Sequence, residues 1–176
     1  MPNFAKSNNL EKRKVPQTIS MKEFEEILRG TKKPKHRLAF KLAFMAGLRI
    51  SEVINLRKED VNFERDYIFI RGSKGKKDRY VPIPEPLRKD LKKLPIGLTP
   101  RALKKALKRI ALKTIGKEIH FLTLRHSTVD LMLDHGIHIR WIQLLLGYSS
   151  IRTPAIYTHV SLEDLQEEFR RKWRVK

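Results

Sequence analysis

Apolar residues recur at helical spacing along most of the chain. Phe24, Ile27 and Leu28 mark one face of MKEFEEILRG, and Ser20 with Glu23 three residues on forms a capping box ahead of it. Residues 35–46 follow Pro34 as a second helix. There Leu38, Leu42 and Met45 form one stripe and Ala39, Ala43 and Ala46 another, so apolar groups cover most of the circumference and place this helix centrally. Gly47 closes it, and SEVINL predicts a short third helix from Ser51.

The period then changes. Residues 67–71 and 78–83 read as two strands joined by GSKGKK, a β-hairpin with a strongly basic tip. Helices resume at residues 86–94 and at 101–115, the latter capped by Thr99 with Pro100 in its first turn. Further helical patterns cover about 123–134, 138–146, 154–159 and 162–173. The fold class is α+β: a mainly helical domain carrying one small antiparallel sheet. Residues 1–14 are polar and aperiodic, and read as a flexible basic tail or linker remnant before a domain at 15–176.

Charge narrows the partners. With 39 basic and 19 acidic residues among 176, the net charge is +20, far beyond what solubility needs. Polyanions reward such a charge: DNA, RNA or an anionic membrane surface. The apolar stretches are too short and too interrupted to cross a bilayer, so no membrane span is expected. No secretory leader pattern opens the chain, and the absence of Cys excludes disulfides and thiolate metal sites. A cytoplasmic protein is the expectation.

Candidate chemistry lies in four blocks: AGLRISEV (46–53), GSKGKKDRYVPI (72–83), LRHSTVDLMLDHG (124–136) and LLGYSSIRTPAIYTHV (145–160). A phenolic oxygen can attack a phosphodiester and hold the broken strand covalently, and arginines can neutralise the phosphate as charge builds. In this order the blocks resemble the catalytic domain of the tyrosine recombinases, nearest the Xer-type and phage-integrase branch, over about residues 15–176.

The resemblance implies a fold, a partner and a set of roles. The fold is the recombinase catalytic core, the partner is double-stranded DNA, and no cofactor or metal is needed. Tyr157 matches the nucleophile. Arg49 and Arg125 match the pair that grips the scissile phosphate, a task suited to a planar, bidentate and permanently charged group. Glu52 matches the acidic residue that holds the first arginine. Lys74 aligns with the hairpin lysine that protonates the departing 5′ oxygen, while Lys76, Lys77 and Arg79 are expected to touch backbone phosphate. Arg101, Lys104, Lys105 and Lys108 recur opposite Leu103, Leu107 and Ile110, and add a basic stripe for the same purpose.

Two positions depart from the family pattern. Leu122 stands where His or Lys usually transfers a proton, a function leucine lacks. His120 could take that role only with a reshaped loop, and His126 should point about a third of a turn away from Arg125. Tyr148 stands where His or Trp is usual, and its hydroxyl can still donate a hydrogen bond. The segment from Ser161, with Leu162, Leu165, Phe169 and Trp173 on one side, either packs on its own domain or docks into a neighbouring subunit, linking protomers on DNA. The rival to a recombinase is a DNA-binding protein on the same scaffold that has lost strand transfer.

Overall fold

The computed structural model describes residues 17–72, 77–147 and 162–173. The first helix, α1 (Met21–Gly30), begins as its capping box requires: Glu23 N–H donates to Ser20 Oγ at 3.2 Å, and Ser20 N–H donates to Glu23 Oε2 at 2.8 Å. Its apolar face, Phe24, Ile27 and Leu28, is buried. Phe24 stacks on Phe44 of α2 (Pro34–Met45) with ring centroids 3.8 Å apart.

The helix with apolar groups on most sides does sit at the centre. Leu38, Ala39, Phe40, Leu42, Ala43 and Phe44 are fully buried, and α2 packs against α3 (Ile50–Asn55), α4 (Pro100–Ile115) and α5 (Phe121–Asp134). Thr128 of α5 donates its hydroxyl to the Phe44 carbonyl at 2.7 Å, so the buried polar group is satisfied. α4 starts at a Thr99 cap, as its sequence indicates, and packs on α1.

The sheet has three antiparallel strands in the order β1 (Val61–Asn62), β2 (Tyr67–Ile70), β3 (Arg79–Pro82), with Ile68 opposite Val81 and Ile70 opposite Arg79. β1 was not expected. At two residues it offers no alternation to read, and it exists through pairing with β2. The helix expected over 86–94 is instead two short 3₁₀ turns, Glu85–Leu87 and Asp90–Lys93. Pro84, Pro86 and Pro95 remove amide donors at both ends of that segment, which leaves too few residues for a stable α-helix.

Two helices complete the described chain, α6 (Ile139–Leu146) and α7 (Leu162–Lys172). α7 lies on its own domain. Leu165, Phe169 and Trp173 are buried, and Trp173 Nε1 donates to the Met45 carbonyl at 3.2 Å. Among the described residues no helix is long and apolar enough to cross a membrane.

Candidate active site

Arg49 occupies the N-cap of α3, whose first residue, Ile50, comes one residue earlier than the expected start at Ser51. Glu52 explains the shift. Its carboxylate turns back to accept the Arg49 backbone N–H at 2.8 Å, satisfying one of the free donors of the first turn. The same carboxylate accepts from Arg49 Nη1 at 3.1 Å and from Arg79 in bidentate fashion, Nη1 to Oε1 at 2.8 Å and Nη2 to Oε2 at 2.9 Å. Arg125 Nη1 stands 3.9 Å away. One carboxylate therefore gathers guanidiniums from the start of α3, from β3 and from α5.

These arginines also hold the end of α6. Arg79 Nε donates to the Leu145 carbonyl at 2.6 Å, Arg125 Nη2 to the Leu146 carbonyl at 2.6 Å, and Arg49 Nη1 to the Leu146 carbonyl at 3.5 Å. Carbonyls of a last helical turn have no intrahelical partner and carry the negative end of the helix dipole, so cations are favoured there. Arg125 Nη1 also donates to the Gly47 carbonyl. Two glycines permit this packing. Gly47 has φ +65°, and a Cβ there would lie 2.3 Å from Leu146 Cδ2; Gly147 has φ +65° and backs onto the Arg79 side chain.

Burial pushes the Glu52 carboxyl up, but the Arg79 hydrogen bonds and charge, with the Arg49 N–H and charge, outweigh it and hold the pKa at about 2. Glu52 is thus ionised at neutral pH, and three guanidiniums against one carboxylate leave the cluster positive. That is a setting for an anion.

Arg49 and Arg125 line a cleft of about 1030 Å³ between α3, α4 and the start of α5. Arg101, Lys104, Lys105 and Lys108 line it from α4, and Lys108 is paired with Glu118 at 2.7 Å. His120 and Leu122 lie on the same cleft, with Leu122 58% exposed, whereas His126 is half-buried and outside the lining. Lys77 is exposed beside the hairpin tip. Lys74, Lys76, Tyr148 and Tyr157 lie outside the described residues.

The residues bear comparison with known proteins. The chain matches the model of the phage integrase family over residues 17–96 and 97–164. It belongs to that family. It is 35% identical to tyrosine recombinase XerA of Pyrococcus furiosus, over 89% of this chain and 62% of the relative. Among solved structures it is similar to the XerA recombinase crystal structure, with TM-score 0.69 and 25% identity over 89% of this chain and 65% of that one. It also has the fold of lambda integrase residues 75–356 in a structure bound to DNA, with TM-score 0.62 and 20% identity over 94% of this chain and 66% of that one. The chain spans about three fifths of the length of the curated relative it matches.

In this integrase-family chain the least expected placement is that of Arg79. As a hairpin cation it was expected to touch backbone phosphate, yet its side chain is 9% exposed and committed to Glu52 and Leu145. A signal was present. Arg79 precedes the fully buried Val81 by two residues, and strand side chains at i and i+2 share a face. Arg79 therefore points inward with Val81, and its charge has to be paired there.

Proposed function

We propose that the chain is the catalytic domain of a site-specific DNA recombinase or integrase, which breaks and rejoins strands through a 3′-phosphotyrosyl intermediate. The observation carrying this reading is the union of Arg49 and Arg125 at one positive cleft, anchored to the Leu146 carbonyl. The segment bearing Tyr157 leaves α6 at that point.

In this mechanism the two arginines hold the non-bridging oxygens of the scissile phosphate. The Tyr157 hydroxyl loses its proton to water as its oxygen attacks phosphorus, the bond to the 5′ oxygen breaks, and Lys74 delivers a proton to that oxygen. Tyr148 adds a hydrogen bond to the phosphate. Religation to another 5′-hydroxyl reverses these steps and needs no ATP, because the ester bond is conserved in the phosphotyrosine. Double-stranded DNA is the substrate, and the Lys and Arg of α4 together with the hairpin lysines hold its backbone. Self-association on DNA through the C-terminal helix requires α7 to exchange the groove it fills in its own domain for one in a neighbour.

A nicked suicide duplex tests this reading. Wild-type protein is expected to yield a denaturant-stable protein–DNA adduct. Tight, salt-dependent binding with no adduct on a verified site assigns the chain to the non-catalytic alternative. Leu122→His supplies the missing proton carrier at an exposed position on the cleft, and is expected to raise the single-turnover cleavage rate about 10²-fold. An unchanged rate means that another group already moves the proton or that the step is not limiting.

A further inference from the structure

A second cleft, about 520 Å³, lies between the end of α1, the start of α2 and the second half of α4. Arg29, Lys32, Lys33, Arg109 and Lys113 line it, and no Asp or Glu does. Arg29 pairs with Glu26, but Lys32, Lys33, Arg109 and Lys113 have no ion pair among the described residues. His36 lines the same cleft at 9% exposure, and its Nδ1 lacks a hydrogen-bond partner among the described residues. Burial, Lys33 and Arg109 lower its pKa, so the ring is neutral at pH 7 and can donate from one nitrogen.

The two clefts are joined by a ridge. Arg101, Lys105, Arg109 and Lys113 follow one another at four-residue steps on α4; the first two line the candidate active site and the last two the second cleft. A helix rises ~6 Å per such step, so the ridge spans about 18 Å. At ~3.4 Å per base pair that length matches roughly five base pairs of duplex. A small free anion needs no such continuity.

We infer that the second cleft is a DNA-backbone groove that takes phosphates of the same duplex beyond the active site, with α4 as the rail between them. This rests on the DNA-acting reading above. Unpaired like charges at close range repel in the free protein, and a polyanion relieves that repulsion.

The test uses the full chain and random-sequence duplex DNA, because backbone contacts do not read sequence. The triple variant Lys33→Ala, Arg109→Ala, Lys113→Ala is expected to lower the log–log salt slope of binding by about 2 to 3, near one per lost phosphate contact. Affinity at physiological salt should fall on the order of tenfold or more. The free variant should melt at or above the wild-type temperature, because mutual repulsion has been removed. Lys92→Ala, on an exposed lysine away from both clefts, is the charge control.

An unchanged salt slope in a variant that remains folded overturns the inference while leaving DNA binding by the chain intact. It is equally overturned if inorganic phosphate raises the wild-type melting temperature as much as duplex does and the variant loses only the phosphate effect. Failure of wild-type protein to bind duplex in a salt-dependent way overturns both this groove and the broader reading.

Discussion

Tyr157→Phe is expected to leave duplex binding intact and to abolish the covalent adduct, a loss of at least about 10⁴-fold in cleavage, as expected when a nucleophile is removed. The substitution keeps the ring and deletes one oxygen, so a packing role for the tyrosine would survive it. Tyr157 follows Gly147 by ten residues (157 minus 147), and ten extended residues reach at most ~36 Å. The end of α6 is fixed by Arg49, Arg79 and Arg125, so this tether brings the chain's own tyrosine within range of its own arginine cleft. Cleavage by each subunit's own tyrosine is therefore the expected outcome, and mixing Tyr157→Phe with an arginine-cleft variant, each inactive alone, should restore no adduct. Tyr148→Phe provides the contrast: losing one hydrogen bond to a charged phosphate should slow adduct formation roughly 10- to 100-fold without eliminating it. Gel-resolved adduct yield beside fluorescence-anisotropy binding measures both variants. An adduct that persists in Tyr157→Phe would show that another side chain attacks.

The parts of this molecule legible in the sequence are those fixed by local periodicity. α1 and its capping box, the apolar α2 and the Thr99-capped α4 stand where the pattern places them, because each is set by residues within one or two turns. Arg49, Glu52 and Arg125 were singled out through their motif blocks. Their meeting at the end of α6 was not legible, since it joins residues 97 and 21 positions apart by hydrogen bonds to Leu146. Of the missed features only β1 depends on a partner elsewhere in the chain. β1 is a strand only by virtue of β2, and the 3₁₀ turns at Glu85–Leu87 and Asp90–Lys93 reflect prolines outweighing an apolar i, i+4 pattern. Arg79 was assigned from its neighbours' charge when its strand face, shared with Val81, was the better guide. For α7 the sequence left two partners open, and in this structure its apolar side covers its own domain.

Glu52→Gln should show that Arg79 belongs to the site rather than to the DNA-facing surface. The substitution keeps shape and removes the charge that holds three guanidiniums, one of them on a side chain only 9% exposed. Breaking a buried pair by deleting one partner strands the other, and the expected cost is about 3 kcal/mol. For a chain of this size that lowers the melting temperature by roughly 6–12 °C. Cleavage should fall by at least about 10²-fold even at temperatures where the variant is folded, since Arg49 and Arg125 lose their common anchor and misplacement alone costs that much. The pH dependence carries the sharper test. The folded pKa of Glu52 is depressed from the ordinary 4.5 to about 2, so the carboxylate contributes stability that is complete above pH 4.5 and is lost as pH falls toward 2. The linkage is worth about 3 kcal/mol at most, and ~2 kcal/mol after screening in a site partly open to solvent. The stability difference between wild type and Glu52→Gln, from denaturant titrations, should therefore shrink by about 2 kcal/mol between pH 5 and pH 2. A difference that stays flat across that window would mean the arginines are held by the carbonyls of Leu145, Leu146 and Gly47 alone. A shrinking one, reproduced when Arg79→Met removes the bidentate partner instead, makes the Glu52–Arg79 pair the support on which Arg49 and Arg125, the arginines proposed to hold the phosphate, rest.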